Sequence, residues 1–357
     1  ARTPLVQAAR ANLEQQRNRY GNQLRRLQLD VSEAYYGLQR ADQNVRIQDA
    51  AVQNDLVILQ DTLDMQIAGL VPRLDVMRRR AIEASDQEVL IQAMADRAIA
   101  RRRLAVVLNL NPEITPSASD PIVPMPDWPL DLEASLLAAY RGNPELEAIL
   151  AAREALAKRS DAVAAQLLPK LSLFGNAGTY GINEQMYNVI PKNGGCCGTA
   201  VNNVFNNSGY DWALGLSVRW LLFDAGTTSG QALALDRLAA ATAQDYAAMR
   251  NAIRLRLESA FFNHEASLAK LASARRGVAS AIEAFRDVRL RYQTGLSSEL
   301  DLSITQERLI SSLVQRLEAA VDVNITYAQL LRELLPVPRD PDAPFTPQLT
   351  YTSDPNS

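Results

Sequence analysis

The sequence predicts a mainly α-helical protein with a small β part, built from long antiparallel coiled-coil helices. Three observations support this fold class. Hydrophobic residues make up 47% of the 357 residues but aromatic residues only 6%, and an apolar content carried by alanine and leucine is typical of helices. A stretch of sequence recurs 226 positions further along the chain. Strand-like alternation is confined to one short region.

The internal repeat is clearest at a glycine turn. Residues 66–76 read Q-I-A-G-L-V-P-R-L-D-V and residues 292–302 read Y-Q-T-G-L-S-S-E-L-D-L, with Gly, Leu, Leu and Asp at the same places. The match extends without a gap from E-A-Y-Y (33–36) against S-A-F-F (259–262) to Pro112 against Pro338. The chain therefore predicts two structurally equivalent repeats, 1–126 and 127–357.

Each repeat is expected to contain a long helix that ends at the glycine and a shorter helix that returns. Proline-rich stretches at 112–129 and 336–347 are predicted linkers. The predicted elements are tip turns near 67–72 and 295–297, return helices 73–110 and 298–335, helices within 130–168 broken at Gly142-Asn143-Pro144, and a long helix 229–294.

Apolar residues recur every seven positions along both long helices, which predicts a coiled-coil seam. His264 falls on this seam. It is interpreted as a packed or hydrogen-bonded seam residue, with a pH-sensitive contact between helices as the alternative. The seam positions are Val31, Leu38, Val45, Val52 and Leu59 in the first repeat and Leu257, His264, Leu271, Val278, Phe285 and Tyr292 in the second.

Residues 212–223 read W-A-L-G-L-S-V-R-W-L-L-F, and their alternation predicts a strand at about 211–224 with one apolar face. A partner strand is predicted at about 169–181. Trp212 and Trp220 lie eight residues apart, which is roughly 26 Å along a strand. This distance is close to the roughly 25 Å height of the apolar band of outer-membrane barrels, which is bounded by aromatic girdles. The girdle candidates are Trp212, Trp220, Tyr180 and Tyr210. One strand of a soluble sheet with two core tryptophans is the alternative.

Two strands alone would leave unpaired backbone groups in lipid, so membrane strands would have to share a barrel with other subunits. The connector between them, about 182–210, is rich in Asn and Gly and is predicted to be a long loop. It contains Cys196 and Cys197, interpreted as an exposed pair that can oxidise. Metal binding or cross-linking between subunits is the alternative for this pair.

Several function classes are excluded by composition. His264, Cys196 and Cys197 are the only histidine and cysteines, so no zinc site and no histidine-based catalytic triad is predicted. No phosphate-binding or dinucleotide-binding glycine motif is present, and we predict no cofactor and no enzyme activity. The net charge of −3 indicates no nucleic-acid partner, and no apolar run long enough for a transmembrane helix is present.

Four motifs in this order resemble the TolC-like outer-membrane efflux proteins, the exit ducts of tripartite pumps and type I secretion systems. They are N-P-E-L (143–146), L-P-K-L-S-L (168–173), R-W-L-L-F-D-A-G (219–226) and Y-x-x-G…L-D-L (292–302). The resemblance implies a homotrimer in the outer membrane that extends into the periplasm, with a trimeric α-barrel and a shared transmembrane β-barrel. It implies outer-membrane lipid, a periplasmic adaptor protein and an inner-membrane transporter as partners, and a belt formed by the proline-rich stretches.

The resemblance also implies roles for the two tips. Asp301 matches an inward-facing aspartate of a cation-sensitive constriction, Tyr292 matches a tyrosine that latches the entrance, and Asp75 is the equivalent of Asp301 in the first repeat. Ile304 and Ser297 stand where the family has a second aspartate and an arginine. The alternative for both aspartates is a carboxylate favoured at a helix N-terminus. The implied adaptor contacts are Ala68, Gly69, Leu70, Thr294, Gly295, Leu296 and Ser297.

Aligning the repeats places Ala1 opposite Thr227. We therefore expect that first-repeat equivalents of 127–226, about a hundred residues, are not part of this sequence, and that a trimer of it would supply six strands where the family has twelve. The leading function is a passive outer-membrane conduit. A soluble coiled-coil scaffold or adhesion stalk is the alternative, which explains the helices but not the strand or the Asn/Gly-rich connector.

Overall fold

The computed structural model describes residues 2–118, 120–190 and 199–334. The predicted helices are present, and their ends agree with the prediction to within a few residues. A single 3₁₀ turn, Ala165–Leu167, follows α4. In chain order the elements are α1 Arg2–Ile67, α2 Arg73–Val107, α3 Leu132–Tyr140, α4 Pro144–Ala164, β1 Lys170–Ile190, β2 Thr199–Arg219, α5 Thr227–Gln293 and α6 Glu299–Leu334.

The chain divides into two compact units. One comprises Ala1–Ala11 and Arg153–Ala241 and contains the strand pair. The other comprises Asn12–Ala152 and Thr242–Ser357 and contains both helical tips. The predicted division into repeats 1–126 and 127–357 follows sequence equivalence, a different criterion from compactness.

The long helices α1 and α5 have 66 and 67 residues, which corresponds to about 100 Å each. Good helix formers dominate both, and neither contains proline beyond its first turn. Their predicted seams are largely buried, as the fully buried Leu38 and Leu257 illustrate. The coiled-coil character of the helices is thereby confirmed, since a sevenfold apolar stripe can be buried only against a neighbouring helix.

His264 is buried in this seam. Its Nδ1 lies 3.0 Å from the hydroxyl of Thr326, and that hydroxyl donates to the carbonyl of Asp322. The imidazole is therefore the donor in the contact with Thr326. Burial lowers the pKa of His264, only partly opposed by nearby backbone carbonyls, so the neutral ring is favoured in the seam.

The N-P-E-L motif starts α4. The side chain of Asn143 accepts from the backbone N–H of Glu145 at 2.9 Å and donates to the carbonyl of Ala139 at 2.9 Å. Pro144 occupies the first helical position, where its missing N–H costs little. Glu145 bonds the guanidinium groups of Arg256 and Arg332, both at 2.9 Å. Leu146, the last residue of the motif, packs in a hydrophobic core with Ile253, Leu257 and Leu330.

The two strands form an antiparallel pair that is longer than predicted. The prediction of a loop at 182–210 is wrong for much of that range, because the described residues pair out to Ile190 opposite Thr199. Backbone hydrogen bonds hold this ladder together, so the Asn- and Gly-rich sequence pairs without an alternating apolar pattern. The other end is shorter than predicted, since β2 ends at Arg219.

The segment that follows β2 forms the N-terminal cap of α5. Asp224 accepts hydrogen bonds from the backbone N–H groups of Gly226 and Thr228, at 3.1 and 2.8 Å. The bonds from Thr228 and then from Gly226 lower the pKa of Asp224. This aspartate caps α5, and residues 220–224, between β2 and the turn at 225–226, have no regular secondary structure.

Among the helices of the described residues, none carries an apolar stretch sufficient to cross a bilayer. Cys196 and Cys197 and the proline-rich stretch 336–347 lie outside the described residues. The first proline-rich stretch, 112–129, is largely irregular. It is attached to α6 by the buried side chain of Asn324, which bonds Met125 N at 2.8 Å and Val123 O at 3.0 Å.

Candidate functional site

The two predicted tip turns have the same backbone structure. Gly69 and Gly295 adopt φ values of 73° and 74°, a left-handed conformation that glycine adopts without steric cost. Gly69 N bonds to Gln66 O at 3.0 Å and Leu70 N to Met65 O at 2.9 Å. The second tip repeats the pattern at 3.0 and 2.8 Å. Both long helices therefore end in a Schellman motif, which satisfies their last carbonyl groups.

Exposed apolar side chains surround both turns. Leu70 is 71% exposed and Leu296 is 79% exposed. A second equivalent pair, Leu74 and Leu300, is exposed on the first turn of each return helix. The prediction of tip contacts did not include this second pair, although both leucines belong to the repeated L-D motif. Exposed apolar side chains grouped at one place are typical of a surface that binds another protein.

Asp301 lies on the exposed surface at the start of α6. Its carboxylate accepts from the hydroxyl of Ser298 at 2.6 Å, from the backbone N–H of Ser298 at 3.2 Å and from the hydroxyl of Ser297 at 3.3 Å. These bonds, those of Ser298 first, lower the pKa of Asp301. The residue is thus an ionised member of a capping box, and it remains accessible to solutes.

Asp75 occupies the equivalent position on α2 and has a different partner. Its carboxylate lies 3.6 Å from the guanidinium of Arg78. The helix begins after Pro72, which makes no side-chain capping bond. The cation beside Asp75 reduces the attraction that this carboxylate can exert on a solute cation, so the two tips differ in electrostatics despite their common backbone.

Tyr292 lies at the end of α5, and its side chain is buried from solvent. Its hydroxyl lies 3.0 Å from that of Thr62 on α1. The Thr62 hydroxyl donates to Ile58 O at 2.8 Å, so Tyr292 is the donor to Thr62. Burial raises the pKa of Tyr292. The phenol therefore links the long helices of the two hairpins, within an apolar cluster that also contains Ile58 and Leu302.

A buried charged cluster lies next to this tyrosine contact. The fully buried guanidinium of Arg79 on α2 contacts Glu299 on α6 at 3.1 Å and Asp55 on α1 at 3.4 Å. It also donates to Gln306 at 3.2 Å and Ser303 at 3.1 Å. The cluster therefore joins three helices and both hairpins. Among the described residues, Arg79 Nε has no hydrogen-bond partner.

Asp86 lies seven residues, or about two helical turns, beyond Arg79 on α2. The pKa of Asp86 is raised from 3.8 to about 7, first by burial and then by the hydrogen bond to Asp55 and the negative charge of Asp55, while the charge of Arg79 opposes the shift. Two carboxyl groups that share one cation cannot both ionise without cost. Near neutral pH Asp86 is therefore a titrating group of this cluster.

The sequence prediction missed this cluster. One signal was available, since Arg79 follows Val76 by three positions and so lies on the buried stripe of α2. In the R-R-R run at 78–80, however, the exposed and buried arginines look the same. The acidic partners come from positions more than two hundred residues away or from another helix.

The strand pair has two chemically distinct faces. Residues directly opposite each other share a face. The apolar face carries Tyr210 and Trp212 at one end and then a continuous aliphatic surface, and it spans about 26 Å from Leu171 to Thr179. The next two pairs on the same face, Gly181 with Ser208 and Asn183 with Asn206, carry no apolar side chain. The aliphatic residues of this face are Leu171, Leu173, Leu214, Leu216 and Val218, all exposed.

The opposite face, called the polar face, carries Lys170, Ser172 and Asn176 on β1 and Asp211, Ser217 and Arg219 on β2, and between and beyond them the exposed apolar side chains of Phe174, Ile182 and Phe205. Tyr180, a girdle candidate like Trp212, lies on this polar face because it pairs with Gly209, whereas Trp212 pairs with Ala177 and lies on the apolar face. A Cβ at Gly209 would lie 2.7 Å from the Tyr180 hydroxyl, so the phenol covers this glycine. Trp220 follows β2, and its indole N–H donates to Leu167 O at 3.1 Å.

The described residues contain no grouping of His, Cys, Asp and Glu that could hold a metal ion. An open groove of about 440 Å³ between α1, α2 and α6 lies beside Asp86 and Gln306. The features that carry functional chemistry are thus the two tips, the Arg79 cluster and the two-faced strand pair.

Comparisons with known proteins agree with this geometry. A family model described as outer membrane efflux protein matches residues 137–334, more than half of the chain. No curated protein sequence matches the chain. Among solved structures, the outer-membrane channel OprN is similar with a TM-score of 0.74 at 21% identity, covering 93% of this chain and 71% of that chain.

Two further structures come from identified bacteria. The outer membrane protein VceC of Vibrio cholerae has a TM-score of 0.75 at 17% identity, with 92% of this chain and 74% of that chain covered. The open state of the MtrE outer membrane channel of Neisseria gonorrhoeae has a TM-score of 0.72 at 20% identity, with 93% and 71% covered. At these identities the likeness concerns the fold.

Proposed function

The chain belongs to the outer membrane efflux protein family, and we propose that it forms, as a homotrimer, the exit duct of a tripartite pump. It is a channel protein and not an enzyme. It lies in the outer membrane and extends into the periplasm. Proteins of this family generally work as trimers with an adaptor and an inner-membrane pump. Service in a type I secretion system is a second proposal, supported only by the sequence resemblance.

One observation carries the proposal. A single chain combines two hairpins that end in equivalent tips with a strand pair whose apolar face is fully exposed. A soluble scaffold or stalk would require only the helices. An exposed aliphatic face about 26 Å long, with Tyr210 and Trp212 at one end, suits a strand pair that faces lipid. We therefore assign the apolar face to lipid and the polar face to the interior of a shared β-barrel.

The tips would form the periplasmic entrance, with 1–126 and 127–357 as the two repeats that supply one tip each. Asp301 is the stronger candidate for a cation-facing group because its carboxylate is ionised and exposed and has no cationic partner in the described structure. Asp75 is the weaker candidate because Arg78 lies beside it. Tyr292 and the Arg79 cluster would hold the two hairpins together in the closed entrance.

We further propose the tips as the adaptor-docking surface. The contacts would come from Ala68, Gly69 and Leu70 in the first tip and from 294–297 in the second, extended by Leu74 and Leu300. A test is to substitute Leu70 and Leu296 with serine and measure co-purification with the adaptor after cross-linking. Adaptor recovery should fall, whereas Leu255→Ser, an equally exposed leucine in the middle of α5, should have no effect.

The duct itself is tested by mass and conductance. In detergent the protein should have the mass of a trimer, and in a planar bilayer it should conduct ions. Divalent cations added from the tip side should block this current. Asp301→Asn should weaken the block more than Asp75→Asn does, because Arg78 already compensates Asp75.

A protein that stays soluble without detergent and never conducts would contradict the duct and favour the scaffold. Equal block in the Asp301→Asn variant and the wild type would show instead that the duct exists but that Asp301 does not face the ions.

A further inference from the structure

Two cations lie directly opposite each other at the helix-proximal end of the strand pair. Lys170 is the first residue of β1 and Arg219 is the last residue of β2, and the register pairs them. Side chains at directly opposed positions have Cβ atoms about 5 Å apart, and like charges there destabilise the pair. In the described part of the chain neither side chain forms an ion pair or a hydrogen bond, and both are exposed.

The register also determines which face carries these cations. Lys170 and Arg219 are on the same face as Ser172 and Ser217, one pair further along, and opposite to the aliphatic face. A cation that served only to contact lipid headgroups would be expected on the aliphatic side, where the lipid lies. Lys170 and Arg219 instead lie on the polar face, where the next pair, Ser172 and Ser217, carries two hydroxyl groups.

The position of the pair is fixed by its neighbours. Trp220, the residue after Arg219, donates its indole N–H to the carbonyl of Leu167, and so ties the end of β2 to the segment that enters β1. The nearest acidic residue on the same face with a described side chain is Asp211, eight residues along β2, or about 26 Å away. The two cations are thus held at the end of a paired strand. No described acidic side chain on the same face lies close enough to neutralise them.

We propose that Lys170 and Arg219 form a cationic collar on the duct side of the strand pair, and that this collar attracts the phosphate or carboxylate groups of anionic cargo. The inference rests on the proposed function, because a trimer would present three such pairs around one lumen. Closely spaced charges of one sign in a confined opening raise the local concentration of counter-ions. The destabilising contact between like charges is then the structural cost of an anion-attracting ring.

The test measures ion selectivity in uncharged phosphatidylcholine bilayers under a KCl gradient. The double variant Lys170→Gln/Arg219→Gln should shift the zero-current potential towards cations, corresponding to a several-fold lower permeability of chloride relative to potassium. The exchange Lys170→Arg/Arg219→Lys keeps both charges and should match the wild type. Asp211→Asn, on the same face, should shift selectivity in the opposite direction. The Lys170→Gln/Arg219→Gln variant should still fold, since the substitutions remove a contact between like charges.

A second measurement does not depend on conduction. Iodide, an anionic quencher, should quench the fluorescence of the tryptophans less in the Gln/Gln variant than in the wild type, because Trp220 adjoins the collar. Quenching by neutral acrylamide should be unchanged. Quenching by brominated phosphatidylglycerol tests the other source of phosphate, the lipid headgroup.

Unchanged selectivity and unchanged iodide quenching would overturn the proposal. A change confined to quenching by brominated phosphatidylglycerol would also overturn it and would assign the pair to lipid phosphate. If the wild type does not conduct but the iodide effect is present, the duct function fails while the collar is supported. A shift in both measurements in the expected directions supports both.

Discussion

The turn at Gly69 and the turn at Gly295 close with the same backbone hydrogen bonds, yet the helices that follow them begin differently. The first return helix starts after Pro72 without a side-chain cap. The second starts with a capping box between Ser298 and Asp301. The turn requires a left-handed backbone conformation, which glycine adopts without steric cost. A helix N-terminus is less constrained, because it can begin after a proline without a side-chain cap or with a capping box.

The charges of the two return helices differ for a second reason. Arg79 on α2 has Thr305 as its equivalent on α6, and the acid that it contacts, Glu299, has Arg73 as its equivalent on α2. The cluster therefore needs one helix from each hairpin. The two repeats have thus diverged at these positions, so that α2 supplies the cation and α6 the anion, and the two return helices are complementary in charge.

The largest effect is expected from removing the cation of the buried cluster. Arg79→Met should lower stability by about 3–5 kcal/mol, because it leaves Glu299 and Asp55 buried without their counter-charge. The measurement is the midpoint of thermal unfolding in detergent. Arg80→Met is the matched control, since Arg80 is the exposed neighbour in the same R-R-R run and should change stability little.

An equal, small loss in both arginine variants would mean that the Arg79 cluster does not hold the hairpins together. In that case the complementarity of the two return helices would be a matter of shape and not of charge.

A smaller effect is expected at the turns. Gly69→Ala and Gly295→Ala should each cost about 1–2 kcal/mol, since L-residues are disfavoured in the left-handed region, and an added Cβ would meet nothing within 4 Å at either site. Gly277→Ala is the control. This glycine lies inside α5 with nothing within 4 Å of an added Cβ, and alanine there should stabilise by about 0.5–1 kcal/mol.

The two turn variants should have equal effects by the same unfolding assay. A loss at one tip only would show that the shared backbone structure does not contribute equally to the stability of the two hairpins.

The effect expected to be smallest concerns pH, because Asp86 is only partly buried and solvent screens much of the interaction of its charge. The pKa of Asp86 is raised from 3.8 to about 7, so the folded state binds a proton that the unfolded state has released between these two values. Asp86 therefore lowers stability progressively as pH rises from 3.8 towards 7, and the penalty is constant above that window. Asp86→Asn should remove this contribution.

The measurement is the difference in unfolding midpoint between Asp86→Asn and the wild type as a function of pH. The difference should grow in favour of the variant as pH rises through the window and then level off. Glu88→Gln, an exposed carboxylate two residues along α2, should give a flat difference. A flat difference for Asp86→Asn would show that this carboxyl ionises freely beside Asp55.

Much of the fold could be predicted from the sequence because its determinants are local. The glycines at 69 and 295, the seven-residue seam and the N-P-E-L motif each act within a few turns of helix, and the elements that they predicted are present. The site was predicted less completely. The tips were placed correctly in sequence, but the exposed Leu74 and Leu300 and the buried Arg79 were not singled out, since exposure at a given position depends on the neighbouring helix.

Local sequence patterns account for where the helices turn and for which segment has an apolar strand face, because left-handed turns, helix caps and alternation depend on residues close together in the chain. Long-range pairing and packing account for the remaining features. Strand pairing extended β1 to Ile190 and put Tyr180 on the face opposite Trp212, because ladder bonds and register are set by the partner strand. Packing of α2 against α1 and α6 selected Arg79 from three arginines, because a buried charge is stable only where distant carboxylates meet it.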